Sequence, residues 1–341
     1  MFRGMGFRVV VAIVSVLMAV SIRQLEAGEM LTDLPEGDGI AAKYPGDRGI
    51  EKDPAVVFAD DFETVEGDRF TTGDRKGSAR GWNNKWDNVW DKIRVTEDPE
   101  NVHTGRKAVE ITHEQPTSNG ADRHFEHGFD TLYVRYYMKY HKEFPGCHHT
   151  GMCILAGAPG ITLAVGSATG VVPDGRNHFE ALLDTLPPRG NSATPPPGNM
   201  NIYCYHMDQG SKWGDEFFPN GDVDPPKNKK LLAEGFVPRP NLNAERGRWY
   251  CYELMLKANT PGKRDGRVAF WVDGKLAGDF PNLRFREVEE LKPNHVILLS
   301  YSSTVQPNQT HWYDDVVAAT SYIGPMRPPE PAEAAKTKDS P

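Results

Sequence analysis

The sequence predicts an all-β protein, an antiparallel β-sandwich with long loop insertions. Short segments rich in aromatic and β-branched residues recur along the chain, set apart by Gly, Pro and Asn, as in sandwiches and barrels. Within these segments residues alternate in character, the period of a strand whose two faces meet different surroundings. Residues 131–141, TLYVRYYMKYH, show it well: Leu132, Val134, Tyr136 and Met138 form one face, and Tyr133, Arg135, Tyr137 and Lys139 the other.

The chain has 341 residues. Residues 1–28 begin with Arg3 and Arg8, run apolar from Val9 to about Ile22, and end in small residues at Ala27 and Gly28, the build of a secretory signal peptide. The apolar run is shorter than the ~20 residues of a membrane span. A secreted or periplasmic protein without a stable membrane anchor after cleavage is therefore expected. Residues 29–54, rich in Gly, Asp, Pro and Glu, read as an extended leader.

The β domain is expected over 55–325. It opens with AVVFADDFE, continues through DKIRVTED, KAVEITHE, TLYVRYYMKYH, ILAGAPGITLAVG, NHFEALLDT and NMNIYCYHMD, and closes with RWYCYELMLKA, GRVAFWVDGKLAGDF, HVILLSYSS and HWYDDVVAATSYIG. Two Pro/Gly-rich insertions, 186–199 and 213–247, interrupt it, and long loops on a rigid β scaffold are where binding function concentrates. Residues 326–341 lack bulky apolar side chains after Met326 and read as a disordered tail.

Net charge is −8, with no basic cluster of the kind that binds nucleic acid. Cys147, Cys153, Cys204 and Cys251 make an even count in a chain expected to be exported, so two disulfides are expected, with the pairing open. Cys147 and Cys153 flank two histidines in PGCHHTGMC. That spacing lacks the matched ligand pairs of a zinc site, and a stapled loop is expected instead.

Three segments offer polar side chains to a groove. Arg135, Tyr137 and Lys139 share a strand face; His178, Glu180 and Asp184 share another; Tyr203, Tyr205, Met207 and Gln209 a third. Aromatic and cationic side chains together suit an anionic or polyhydroxylated ligand.

VFADDFE near the start, GRVAFWVDGKLAGDF with its Asp273-Gly274 turn, and the closing HWYDDVVAATSYIG resemble the concanavalin A-like jelly roll of lectins, laminarinase-type glucanases and several polysaccharide lyases. The segment YVRYYMKYHKEFPGCHHTGMCILAG is similar to the strand-loop-strand of alginate and glucuronan lyase-like proteins, although the Gly-Lys-Leu-Pro-Gly of some of those lyases is absent. A retaining glucanase needs two carboxyls about 5 Å apart. Glu180 and Asp184 share a face, but roughly 13 Å of strand rise separates them, which argues against that branch.

The resemblance implies β-elimination from a uronate-containing polysaccharide, with Tyr and His as acid and base and cations neutralising the uronate. Tyr203 or Tyr205, His148 or His149, and Arg135 are the expected catalytic groups, with Lys139, Tyr137, Gln209, His178 and Glu180 as substrate contacts. It also implies a structural calcium ion held by Glu63 with Asp314 or Asp315, and no organic cofactor. The expected partner is an anionic polysaccharide. A non-catalytic, lectin-like protein is the alternative, with Trp82, Trp86, Trp90 and Trp213 as stacking surfaces.

Overall fold

The computed structural model describes residues 34–65, 69–70, 85–90, 93–158, 169–186, 194–232 and 235–329. The expected signal peptide (1–28), the start of the leader, Trp82 and the tail from 330 onward lie outside the described residues. Among those described, two antiparallel sheets pack face to face, the jelly-roll sandwich that the sequence predicts.

The nine-stranded sheet runs β15 (Lys275–Leu283), β14 (Gly266–Val272), β13 (Trp249–Lys257), β7 (Thr131–Tyr140), β17 (Thr310–Ala319), β5 (Ala108–Thr112), β4 (Ile93–Thr96) and β2 (Arg69–Phe70), with β1 (Val56–Asp60) also paired to β17. The eight-stranded sheet runs β12 (Val223–Asp224), β11 (Asp215–Phe217), β10 (Asn199–Tyr205), β9 (His178–Leu186), β8 (His149–Gly157), β16 (His295–Ser302), β6 (Thr117–His124) and β3 (Asn88–Trp90). The turn between β14 and β15 is Asp273-Gly274, both with positive φ (50° and 76°), the backbone that a two-residue hairpin loop requires.

Alternation sorts the side chains. Leu132, Val134, Tyr136 and Met138 of β7, with Leu254 and Leu256 of β13, face a core completed by Ile154, Ala181, Leu183, Ile202, Val296 and Leu298 from the other sheet. Tyr313 of β17 crosses this core. Its hydroxyl accepts the Gly151 N–H at 2.7 Å and donates to the Leu299 carbonyl at 3.1 Å, joining β17 to the backbone of β8 and β16.

The far face of the nine-stranded sheet is also covered. Tyr133, Met255, Ala269, Trp271, Val317 and Ala319 pack against Ile40, Ala41 and Ile50 of the leader, which forms short 3-10 turns at Ile40–Lys43, Pro45–Asp47 and Ile50–Lys52. The Trp271 indole donates to the Pro35 carbonyl at 2.7 Å. Glu253, buried beneath, accepts the N–H groups of Ile323 and Gly324 at 2.7 and 2.9 Å.

The expected disulfides do not form: all four cysteines are free and buried. Strand alternation and sheet membership keep them apart. Cys153 faces outward from β8, Cys204 faces the core from β10, and Cys251 lies on β13 of the other sheet. Cys147 precedes β8 and turns into the core, where its thiol donates to the Tyr301 carbonyl at 3.0 Å.

Candidate active site

The far face of the eight-stranded sheet carries a groove of about 790 Å³. Its floor follows from the strand register. Ile297, Cys153, Leu182, Tyr203 and Glu216 lie side by side across β16, β8, β9, β10 and β11, and Leu155, Glu180 and Tyr205 form the next row. Neighbours in a row point the same way, so five strands contribute to one surface. Its apolar stripe is Cys153, Leu155, Leu182 and Ile297, with Leu299 packed against it.

His149, the first residue of β8, is the most tightly positioned polar group. Its Nδ1 lies 2.6 Å from Asp184 Oδ2, while Asp184 Oδ1 accepts the N–H groups of Thr150 at 2.9 Å and Thr185 at 2.7 Å. Gly151 makes this close seating possible: it has a φ of 123°, and a Cβ there would lie 2.1 Å from the Leu183 carbonyl oxygen. Burial alone would depress the His149 pKa, but the Asp184 carboxylate outweighs it and the pKa is raised.

Three rings surround His149. Tyr203 lies across it at 4.6 Å between centroids, His148 meets it edge-on at 4.5 Å, and Tyr301 stands 6.2 Å away. His149 is the inner histidine of the pair and His148 the exposed one at the rim. The Tyr203 hydroxyl accepts the Gly214 N–H at 3.2 Å and donates to the Tyr205 hydroxyl at 3.3 Å, which in turn accepts the Gly170 N–H at 3.2 Å. Burial, reinforced by Tyr205, holds the Tyr203 pKa well above the phenol range. Burial also pushes the Glu180 carboxyl up to about 7, with His149 pulling against it.

Of the residues singled out from sequence, His148, His149, Glu180, Tyr203, Tyr205 and Trp213 converge on this groove. Gln209 and His178 are not among the side chains that line it. Gln209 donates to the Ser211 and Trp213 carbonyls at 3.0 and 3.2 Å and so shapes the loop that presents Trp213. His178 is buried 6.0 Å from the Tyr205 ring, with no hydrogen-bond partner for Nε2 among the described residues.

Arg135, Tyr137 and Lys139 are elsewhere. Alternation grouped them on one face correctly, but β7 belongs to the nine-stranded sheet, and that face looks away from the groove. Arg135 is fully buried against Asp47 of the leader. Tyr137 stacks on His103 at 3.6 Å, and the Lys139 ammonium bonds the Glu100 carbonyl and lies 4.9 Å over the Trp312 ring. These side chains cannot neutralise a substrate in the groove, and the expectation that they do so is corrected.

The expected calcium ligands are engaged by protein donors. Glu63 accepts the N–H groups of Arg106 and Lys107 at 2.6 and 2.8 Å. A bulge in β17 turns Asp314 and Asp315 toward residues 103 and 104. Asp314 accepts the His103 N–H at 2.9 Å, and Asp315 bonds the His103 ring at 2.7 Å and the Thr104 hydroxyl at 2.8 Å. A hard cation wants six or more oxygen ligands, and no group of three or more acidic, His or Cys side chains poised to hold an ion occurs among the described residues.

Sequence reading missed Glu216 and Tyr301, which line the groove. Glu216 lies on a three-residue strand within the insertion read as loop. Tyr301 was legible, since alternation in HVILLSYSS places Ile297, Leu299 and Tyr301 together. Trp213 stands at the rim, 47% exposed.

No protein-family model matches the chain, and no curated protein matches it in sequence. Among solved structures it is similar to two mutant forms of alginate lyase Aly36B, one in complex with an alginate tetrasaccharide and one with an alginate trisaccharide. Both are 14% identical, with TM-scores of 0.51 and 0.50, covering 79% of this chain and 98% and 99% of theirs. The marine PL-14 alginate lyase from Aplysia kurodai is 13% identical with a TM-score of 0.48, covering 70% of this chain and 93% of its own. The Aly36B comparisons show that the chain has an alginate lyase-like jelly-roll fold.

Proposed function

We propose that this protein is a polysaccharide lyase that cleaves a uronate-containing polymer by β-elimination, with His149 as base and Tyr203 as acid. The observation that carries the reading is the His149 ring, fixed through Nδ1 to Asp184 at 2.6 Å and facing Tyr203 at 4.6 Å on the floor of an open groove.

Asp184 makes the imidazole a stronger base than a free histidine and fixes which nitrogen faces the substrate. His149 Nε2 takes the proton α to the uronate carbonyl. The released electron pair forms the C4=C5 double bond, the C4–O bond breaks, and the leaving oxygen takes the Tyr203 proton. Tyr203 keeps that proton at neutral pH because burial raises its pKa. No water is consumed.

The signal-like N-terminus supports export, where polymeric substrates are met. Trp213 supports sugar binding at the rim. The test is to incubate the protein with a panel of uronate polymers and follow the ultraviolet absorbance of the unsaturated sugar end. His149→Ala and Tyr203→Phe should each slow its appearance by about 10²-fold or more. Retention on immobilised polysaccharide without that absorbance would select the lectin-like alternative.

A further inference from the structure

β-Elimination needs a partner for the uronate carboxylate, and no Lys or Arg lines the groove among the described residues. His149 cannot fill that place, since its Nδ1 is held by Asp184 and its Nε2 takes the proton. The order of strands narrows the search. Tyr203 on β10 and Tyr301 on β16 stand on opposite sides of β8, with ring centroids 4.6 and 6.2 Å from that of His149. Tyr301 is the register neighbour of His149, and both line the groove. His148 packs edge-on to His149 and to Tyr301, at 4.5 and 5.2 Å between centroids. The carboxyl side chains that line the groove, Glu180, Glu216 and Asp224, stand on β9, β11 and β12, all on the Tyr203 side.

The tetrahedral C5 of the sugar does the rest. With its hydrogen at His149 and C4 turned toward Tyr203, the carboxylate leaves C5 in another direction, and the β16 side supplies the donors. Resting on the β-elimination reading, we infer that His148 and Tyr301 bind the carboxylate of the uronate being cleaved and stabilise the charge that builds on it. As His149 takes the C5 proton, the electron pair moves onto the carboxylate oxygens and makes a dianion. An imidazole N–H of His148 and the Tyr301 O–H donate to those oxygens, and hydrogen bonds to an ionised acceptor are the stronger kind. The pair then returns to form C4=C5 as the C4–O bond breaks, and the leaving oxygen takes the Tyr203 proton. His148 and Tyr301 end as they began. The adjacent histidines divide the work: one moves a proton, and the other holds the charge left behind.

The test uses a uronate polymer that the unaltered protein cleaves, with initial rates read from product absorbance. His148→Ala and Tyr301→Phe should each lower kcat/KM by about 10²-fold. A second readout separates a grip on the carboxylate from a role in shaping the groove. Calorimetry on His149→Ala protein, which leaves the sugar uncut, compares an oligosaccharide of that polymer with its carboxyl-reduced form, in which each carboxylate has become CH₂OH. Adding His148→Ala should weaken binding of the acid about tenfold and of the reduced sugar less than about twofold.

Should substitution at 148 disturb its loop, Tyr301→Phe removes a single hydroxyl and allows the same comparison. Unchanged kcat/KM in both folded variants, or equal weakening of the acid and the reduced sugar, overturns this inference and leaves the lyase reading standing. Silence of the unaltered protein on every uronate polymer overturns both.

Discussion

His149 Nδ1 lies 2.6 Å from Asp184 Oδ2, on adjacent strands, and the second carboxylate oxygen is held by two backbone N–H groups. The histidine therefore has one tautomer and one orientation available for work at Nε2 while Asp184 is charged.

Replacing Asp184 with Asn removes the charge that raises the His149 pKa. In the native protein activity should rise with pH through a value above the ordinary 6.5, as the imidazole loses its proton and becomes a base. In Asp184→Asn that limb should move to lower pH while the maximal rate falls by about 10- to 100-fold. A pH–rate profile, with the His149 titration followed by NMR, checks both. An unmoved limb would remove His149 from the base role.

Tyr203→Phe deletes the proposed acid without changing the ring that packs on His149. kcat should fall by about 10²- to 10⁴-fold with KM nearly constant. Tyr205→Phe should cost less, because that hydroxyl is second in the hydrogen-bond chain.

Trp213→Ala separates binding from chemistry. The ring is exposed at the rim and held by the loop that Gln209 shapes, so its loss should raise KM about three- to tenfold and leave kcat near native. A fall in kcat alone would contradict the platform role.

Glu180 makes stability pH-dependent. Folding raises its pKa from 4.5 to about 7, so between those values the folded protein holds a proton that the unfolded chain gives up. This contribution is most favourable below 4.5 and is lost as pH rises through about 7, by up to about 3 kcal/mol. Denaturant unfolding on both sides of that window should show the slope, and Glu180→Gln should flatten it.

The buried thiols should be silent in the native state. Reductant should leave Tm unchanged, and a thiol-reactive reagent should label Cys147, Cys153, Cys204 and Cys251 only after denaturation. A Tm that falls on reduction would mean that a disulfide forms after all.

What sequence reading captured and missed follows from what alternation encodes. A period of two assigns side chains to the faces of a strand, and it divided β7 into the faces observed. It carries no information on which sheet the strand joins, because pairing partners such as β13 and β17 lie more than a hundred residues away. Arg135 and Lys139 were misplaced for that reason. Where neighbours in space are neighbours in sequence, the reading succeeded: NHFEALLDT and NMNIYCYHMD are adjacent strands, and Glu180, Tyr203 and Tyr205 share the groove. The even cysteine count carried no information on the distances between sulfurs, and the two disulfides expected from it do not form. Glu216 was hidden because a three-residue strand is too short to display a period.

Tyr313 carries one more consequence. Its hydroxyl accepts the N–H of Gly151, two residues from His149, from the opposite sheet. The sandwich thickness and the lateral position of the proposed catalytic histidine are therefore not independent quantities. Gentle warming or modest denaturant that lets the layers breathe should abolish the proposed lyase activity before the circular dichroism changes, so the half-life of that activity would report on the cohesion of the sandwich rather than on its unfolding.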